Sequence, residues 1–397
     1  MKTPQSNPLR VLWLCVISLF AVLVVAGCGG SDDSDSGGGE VTEIGKTEGQ
    51  LNLIAWAGYA EDGSTDKTVD WVSGFEKQTG CKVATKTAST SDEMVQLMRT
   101  GQYDGVSASG DASLRLIEGG DVQAIDMSIL SNYADINPSL KDTDYNTVDG
   151  KNYGMPHGWG ANVLLFNTDE VKPAPTSWAS VFDPAEASQF SGKITAPDNP
   201  IYIADAAVYL KEHQPDLGID DPYELDEDQF NAAVDLLKEQ NKMIGEYWPD
   251  ATKNISSYTN GDSVIGSSWQ YQTSALEGAG EPVSSDLPTE GTTGWSDTWM
   301  LSSEAANPNC MLEWMNWMGS PETQAAVAEW FGEAPANLGA CELTSDPKHC
   351  DTYHADDQKY YDQIAFWKTP VSDCGDDRGT ECKTYDDWVQ AWTEIKG

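Results

Sequence analysis

Positively charged residues are scarce in this chain of 397 residues. It holds 23 lysines and arginines against 64 aspartates and glutamates, which gives a net charge of −41 at pH 7. Such a charge repels nucleic-acid phosphates and anionic lipids, so the composition argues against a nucleic-acid partner. The same negative field favours small cationic ligands, although acidity also keeps an exported protein soluble without any ligand.

Catalytic signatures are scarce as well. The sequence contains no G-x-S-x-G motif and no glycine-rich phosphate loop. Its four histidines are scattered, and the spacings of its cysteines match no zinc template. We therefore predict that the protein is not an enzyme and that it carries no metal and no cofactor.

Long apolar runs end early in the chain. The first ten residues include Lys2 and Arg10 and no acid, and the apolar run VLWLCVISLFAVLVV stops just before Cys28. This pattern predicts a secretory signal peptide over residues 1–27. The string VVAGC resembles a bacterial lipobox, so we expect Cys28 to carry lipid and to anchor an extracytoplasmic protein to the bacterial cell membrane. The Gly, Ser and Asp residues that follow predict a flexible tether over residues 28–49.

Six cysteines remain after the signal peptide and the lipid-bearing cysteine are set aside. They are Cys81, Cys310, Cys341, Cys350, Cys374 and Cys382. An even number in an exported chain predicts three disulfides. The last four form two close pairs along the chain, and each pair would close a short loop. The first two are then left to bond to each other.

Short strands and helices alternate in the first part of the body. LNLIAW, CKVATKT and YDGVSA are typical of strands, and SDEMVQLMRTG is typical of a helix, which we expect Ser91 to cap. This order predicts an α/β protein with a parallel sheet, whose ligands bind beyond the carboxyl ends of the strands, here near Trp56 and Ser107. The body of about 350 residues exceeds one ordinary core, so we predict two lobes.

Tryptophan is abundant, with 15 in the chain, and several lie at predicted strand ends. In GTTGWSDTWML, Trp295, Asp297 and Trp299 alternate, so a strand places them on one face. A carboxylate between two indoles is costly to bury unpaired, which indicates a wet strand end or a cation that meets the acid. Aromatic faces attract an ammonium group by about 0.5–2 kcal/mol per contact. We assign Trp299, one strand step further along, to the core.

The order of segments from about Leu51 to Asn337 resembles the periplasmic polyamine-binding proteins, which are the spermidine/putrescine receptors of ABC importers. The matching pieces are LNLIAWAGY, FEKQTGCKV, YDGVSAS, YGMPHGWGANVLLFNTDEV, NGDSVIGSSWQ and EGTTGWSDTWMLSSEA. The resemblance implies a hinged, two-lobed periplasmic-binding-protein fold of type II. Each lobe would be a mixed, mainly parallel sheet flanked by helices, with the ligand in the cleft between the lobes.

On this basis we predict the limits of the two lobes. Lobe 1 would comprise residues 50–158 and 297–340, and lobe 2 would comprise residues 159–296 and 341–397 with the C-terminal helices. The chain would cross between the lobes near residues 157–159 and 295–297.

The resemblance also implies ligand contacts. The aromatic residues that line the ligand in the family correspond to Trp56, Tyr59, Trp269 and Trp295. The family's acid that binds an amine corresponds to Asp297. Ser107 and Ser109 match the loop after the third strand approximately. Where the family has acids in the second lobe, this chain offers only Asp198, with Gln272 in place of a second acid, and Glu333 replaces a tyrosine.

These features together predict a membrane-tethered, monomeric receptor that binds a cationic amine, such as a polyamine, and delivers it to the permease of an ABC importer. Two other interpretations stay open. Tryptophan faces with acids also suit sugars, or another cationic metabolite, on the same fold. An extracellular hydrolase that uses paired carboxylates is a further alternative.

Overall fold

The computed structural model describes residues 39–397, so the predictions for the signal peptide, for Cys28 and for residues 28–38 lie outside the described residues. Within the described range, no helix is both long and apolar enough to cross a bilayer. The end of the predicted tether is bound to the body. The N–H of Val41 donates to Ala124 O at 2.9 Å, and the side chain of Glu48 accepts from the N–H of Cys310 at 2.9 Å. A flexible tether would therefore end before Val41.

Thirteen strands are present in the described residues. They are β1 Gln50–Ala55, β2 Lys82–Thr87, β3 Gly105–Ser109, β4 Thr147–Val148, β5 Lys151–Asn152, β6 Gly154–Asn167, β7 Ile194–Pro197, β8 Ile244–Trp248, β9 Ile265–Trp269, β10 Val283–Asp286, β11 Thr292–Leu301, β12 Ala334–Pro335 and β13 Ile364–Phe366.

Fourteen α-helices accompany them in the same range. They are α1 Val72–Thr79, α2 Ser91–Met98, α3 Gly110–Glu118, α4 Ala179–Phe182, α5 Pro184–Ala187, α6 Ile203–His213, α7 Glu227–Asn241, α8 Ala251–Thr259, α9 Gln270–Gly278, α10 Pro308–Met318, α11 Pro321–Phe331, α12 His349–Thr352, α13 Gln358–Tyr361 and α14 Tyr385–Lys396. Helix α2 begins one residue earlier than expected, because the side chain of Thr90, not Ser91, caps it by accepting from the N–H of Glu93.

Two long antiparallel strands form the centre of the main sheet. Its order is β2-β1-β3-β11-β6-β9-β7-β8, with β10 and β12 also paired to β6 and β13 paired to β11. On one side of the central pair, β2, β1 and β3 are parallel, and on the other side β9, β7 and β8 are parallel. The sheet is thus mixed but mainly parallel on each side. The chain passes from one parallel group to the other through β6 and β11, and it crosses again after β12, because α14 packs in the core of the second group.

Each parallel group has its own core. In the first group the residues of β1 alternate, so that Leu51 and Leu53 face one apolar cluster and Ile54 faces another. The second group packs β7 and β9 against α6 and α7 around Trp178, Phe182 and other large side chains. This division agrees with two lobes, while the lobe limits themselves stay a prediction.

All three expected disulfides form. Cys81 bonds to Cys310, and the two close pairs, Cys341 with Cys350 and Cys374 with Cys382, close loops near the C-terminus. The first bond joins the start of β2 to α10 across 229 residues of sequence. A closed loop of that length restricts the unfolded chain more than the two short loops do.

Candidate ligand-binding site

Asp297 lies in the middle of β11, where all ten residues of the strand are buried. It pairs in register with Ser109 at the end of β3 and with Gly158 of β6. The hydroxyl of Ser109 donates to Asp297 Oδ1, and the hydroxyl of Tyr59 donates to Oδ2 at 2.6 Å. Asp297 is therefore a buried carboxylate that two neutral hydroxyl groups hold in place.

A second acid, Glu333, shares the same tyrosine. Tyr59 Oη lies 2.8 Å from Glu333 Oε2, and Glu333 is 1 % exposed. A tyrosine hydroxyl has one proton, so it can donate to only one of the two carboxylates at a time. The fold leaves room for this acid at Gly158, because a Cβ there would lie 2.3 Å from Glu333 Cδ. Asp297, Glu333 and Tyr59 are called the paired-acid site below.

Burial controls protonation in the paired-acid site. Desolvation raises the pKa of Asp297 to about 6. It also raises the pKa of Glu333 well above its usual range, and the neighbouring charge of Asp297 adds to that shift. Burial raises the pKa of Tyr59 too, so its hydroxyl keeps its proton. Because two charged carboxylates in one desolvated site repel each other, the site favours uptake of a proton or a cation.

The chain itself supplies no cation to these acids within residues 39–397. The nearest basic group is His157, whose Nε2 lies 3.5 Å from Glu333 Oε1. Burial lowers the pKa of His157 to about 3, so the ring is neutral. Neither ring nitrogen has a hydrogen-bond partner among the described residues. The negative charge of the site is therefore not compensated from within the described part of the chain.

Aromatic rings extend from the paired-acid site towards the second parallel group of strands. The ring of Tyr59 lies 4.5 Å from that of Phe331 between centroids. Phe331 lies 6.1 Å from Trp295, and Trp295 lies 6.3 Å from Trp269. Trp295 and Asp297 are two residues apart on one strand, so they share a face. The four rings, Tyr59, Phe331, Trp295 and Trp269, are called the aromatic wall below.

Other predicted contact residues have structural partners. Ser107 is buried, and its Oγ accepts from the N–H of Trp56 at 3.4 Å. Gln272 is buried, and its Oε1 accepts from the N–H of Trp269 at 2.7 Å. These hydrogen bonds position two predicted ring residues. Trp299 lies in the core, as expected, with 0 % exposure.

Asp198, which follows β7, has a different environment. Lys396 Nζ lies 2.5 Å from its Oδ1, and the indole N–H of Trp392 donates to the same oxygen at 3.0 Å. Both partners belong to α14. The chain thus neutralises the one second-lobe acid that the sequence offered.

The sequence analysis did not assign a functional role to three residues that the structure places near the site or buries as an acid. His157 and Phe331 carry no local pattern that marks them, because a lone histidine and a helix-end phenylalanine are common in cores. Asp205 did carry a signal. It is an acid within the apolar helical string IADAAVYL, and it is 1 % exposed in the structure.

Surface shape alone does not locate this site. A cavity of about 530 Å³ lies between α1 and α10, and Trp71 and Trp317 are among its lining residues. It includes neither acid of the paired-acid site and none of the aromatic wall. The chemistry of the buried acids, rather than cavity volume, therefore identifies the candidate site.

The sequence of this chain is similar to those of known binding proteins. The sequence pattern of the family described as bacterial extracellular solute-binding protein matches residues 70–356. The chain belongs to this family. The spermidine/putrescine-binding periplasmic protein of Escherichia coli (strain K12) is 27 % identical over 309 residues, which cover 75 % of this chain and 84 % of that protein. The putrescine-binding periplasmic protein SpuD of Pseudomonas aeruginosa is 25 % identical over 311 residues, covering 75 % of this chain and 80 % of the relative.

Solved structures show the same fold. A putative spermidine/putrescine ABC transporter from Listeria monocytogenes superposes with a TM-score of 0.70 at 19 % identity, covering 88 % of this chain and 99 % of that one. This solute-binding protein therefore has the two-lobed, type II periplasmic-binding-protein fold that the sequence predicted.

Proposed function

We propose that this solute-binding protein captures a cationic amine of the polyamine type between its two lobes and delivers it to the permease of an ABC importer. The observation that carries the proposal is the paired-acid site. Asp297 and Glu333 are buried side by side, share one hydroxyl proton, and have no cationic side chain as a partner within the described residues.

An ammonium group supplies what the paired-acid site lacks. A charged carboxylate withdrawn from water costs several kcal/mol unless it is paired, and an incoming N⁺–H group pairs with it through a charge-assisted hydrogen bond. The aromatic wall complements the rest of an amine, because ring faces attract the cation and cover its methylenes. Trp295 stands beside Asp297 on the strand and is well placed for both roles.

The same argument weighs against a neutral sugar. Sugar hydroxyls stack well on indoles and donate hydrogen bonds, but they bring no positive charge to two desolvated acids. The named ligands of the relatives, spermidine and putrescine, are cationic and agree with the amine. We further infer that the protein has no catalytic activity, since the relatives are binding proteins.

Binding would close the lobes on the ligand. Tyr59 comes from the loop after β1 and Asp297 from β11, while Trp269 ends β9 in the other parallel group, so one ligand could contact both groups at once. A ligand that contacts both lobes favours the closed state by its differential affinity. We place the hinge at residues 157–159 and 295–297, and we propose a monomer held to the outer face of the membrane through lipid on Cys28.

Isothermal titration calorimetry on the purified protein tests this proposal. The panel consists of putrescine, spermidine, glycine betaine, an oligosaccharide and 1,4-butanediol, which matches putrescine in length but has no charge. We expect saturable binding of one amine per protein, no response to the diol, and no product on long incubation. Tight binding of the oligosaccharide without any response to the amines would contradict the proposal.

A further inference from the structure

One lysine, Lys368, contacts acids that come from both parallel groups of strands. It lies two residues after β13, in the C-terminal segment that crosses between the groups. Its Nζ lies 2.6 Å from Glu224 Oε1, 2.7 Å from Asp221 Oδ2 and 3.3 Å from Asp144 Oδ2. The side chain of this lysine is 12 % exposed. The family pattern ends at residue 356, so Lys368 lies in a part of the chain that the pattern does not include.

The three acids belong to different sides of the fold. Asp221 and Glu224 lie just before α7, which packs in the core of the second parallel group. Asp144 lies two residues before Asn146, whose side chain donates to the hydroxyl of Thr298 at 2.7 Å, opposite β3 of the first group. Lys368 therefore bridges the two groups, and its contact with the three acids is called the Lys368 tie below.

The residues on either side of Lys368 hold it at the junction of the groups. The hydroxyl of Thr369 donates to Asp111 O at 2.7 Å, in the first turn of α3. The carbonyl oxygen of Trp367 lies so close to Gly110, the first residue of α3, that a Cβ there would clash with it. The N–H of Trp367 donates to the backbone of β11 at 2.7 Å. A change in the angle between the groups would therefore alter the contacts of this segment.

The charge balance at the junction depends on this lysine. No other lysine, arginine or histidine of residues 39–397 forms an ion pair with Asp144, Asp221 or Glu224. Burial lowers the pKa of Lys368, but the acids, with Asp221 foremost, outweigh burial and raise the pKa above its usual range, so the lysine keeps its charge. Without the lysine, the first-group acid and the two second-group acids would repel each other.

The structure shows the two groups in contact with each other near the paired-acid site. Trp269 of the second group lies 6.3 Å from Trp295 between ring centroids, and Phe331 at the end of α11 lies 6.1 Å from the same indole. Asp297 and Glu333 are buried beside these rings. The Lys368 tie therefore belongs to a closed arrangement of the two groups.

We propose that Lys368 is an electrostatic tie between the lobes, which stabilises their closed arrangement before any ligand binds. Its ammonium contacts Asp144 and the two second-group acids at once only while the groups keep their present spacing. This inference concerns the conformation of the ligand-free protein and so goes beyond the proposed function. A ligand that binds the closed state would then spend less of its binding free energy on closing the lobes.

Small-angle X-ray scattering of the ligand-free protein and of Lys368→Met tests the tie. Methionine keeps the length of the side chain and removes its charge. We expect a larger radius of gyration in Lys368→Met at low salt and a return towards the parent value at about 1 M salt, where a Debye length of about 3 Å screens the freed acids. Lys211→Met is the control, because Lys211 Nζ donates to Asp220 O at 2.7 Å within the second group alone. Its radius should equal that of the parent protein.

Asp144→Asn separates the charge of the tie from its packing. The side chain of Asp144 is 70 % exposed, so this change disturbs little packing. In the parent protein it removes the first-group end of the tie and should enlarge the radius of gyration. In the Lys368→Met background it removes a repelling charge and should reduce the radius. The sign of its effect should therefore reverse between the two backgrounds.

Amine affinity gives a second measurement. Because the apparent affinity falls with the closed fraction, Lys368→Met should bind putrescine about three- to tenfold more weakly than the parent protein at low salt. The ratio of the two affinities should approach one as salt is added, since salt removes the repulsion that opens the variant. Lys211→Met should bind putrescine as the parent protein does.

The outcomes distinguish the tie from the proposed function. An unchanged radius of gyration in Lys368→Met at low salt overturns the tie. A larger radius that neither salt nor Asp144→Asn reverses means that the variant lost packing rather than a charge contact, which also overturns it. If the parent protein binds no amine, the proposed function fails, while the scattering comparison still decides whether the tie exists. Thermal unfolding of each variant shows that it is folded under the conditions of the scattering.

Discussion

Asp198 and Asp297 are two carboxylates that the sequence marked for the same task, and the structure gives them opposite surroundings. The side chain of Asp198 is 29 % exposed and is paired with Lys396, which is itself 35 % exposed. Asp297 is 2 % exposed and has only hydroxyl partners. A ligand's ammonium adds little stabilisation to an acid that its own chain has neutralised. It adds much more to a buried acid whose charge has no partner. The missing partner, not the acid itself, indicates a binding role.

The largest expected effect tests this contrast directly. Asp297→Asn should reduce the affinity for an amine on the order of 100-fold or more, because losing one partner of a buried charge pair costs about 3–5 kcal/mol. Asp198→Asn is the matched control, since it makes the same chemical change at an acid that Lys396 occupies. Its effect on affinity should stay within about threefold, which is about 0.7 kcal/mol.

Calorimetric titration of both variants gives the comparison, and unfolding in urea without ligand confirms that each is folded. Equal losses of affinity in the two variants would show that the two acids do not differ in their role in binding. An unchanged affinity in Asp297→Asn would remove this residue from the binding site altogether.

The pH dependence of stability provides a second test, with a smaller effect. The raised pKa of Asp297, about 6, means that the folded protein holds this proton between about pH 4 and 6, where the unfolded chain has released it. The folded state then binds more protons than the unfolded state, so the free energy of unfolding falls as the pH rises through that window. Glu333, whose pKa is raised further, acts in the same direction at higher pH.

For Asp297 alone the loss of stability is on the order of 2 kcal/mol between pH 4 and pH 7. Urea unfolding of the ligand-free protein across this range measures it, with Asp297→Asn and Asp198→Asn in parallel. The slope against pH should become less negative in the first variant and should be retained in the second. Amine affinity should rise with pH over the same window, because the ligand binds the deprotonated acids. A slope in Asp297→Asn equal to that of the parent protein would contradict the assignment.

The fold was largely predictable from the sequence because its signals are local. Each signal acts within a few residues of the chain. Examples are apolar strands such as LNLIAW, Gly80 directly after the first helix, and the spacing of the C-terminal cysteines. The order of these pieces, together with the family resemblance, gave the two-lobed architecture. The N-terminal boundary was less accurate, since nothing in the local composition shows that Val41 pairs with the backbone near Ala124.

The candidate site was predictable only in part. Asp297, Tyr59 and Trp295 stood in recognisable segments, and the structure brings Asp297 and Tyr59 into contact. The partners of an acid, however, come from distant parts of the chain. Lys396 is 198 residues from Asp198, and Glu333 meets Tyr59 across 274 residues. Whether a carboxylate has a cation is therefore a tertiary property that the sequence does not display.

The smallest expected effect comes from removing the lysine that neutralises Asp198. Lys396→Ala removes the cation from Asp198 and leaves the indole N–H of Trp392 as a donor to the same oxygen. Because both members of the ion pair are about one-third exposed, water screens the freed charge, and the free energy of unfolding should fall by only about 0–1 kcal/mol. Affinity for spermidine should not change in the same variant. If affinity rises instead, the freed Asp198 has become a ligand contact, and its own lysine is what keeps it out of the site.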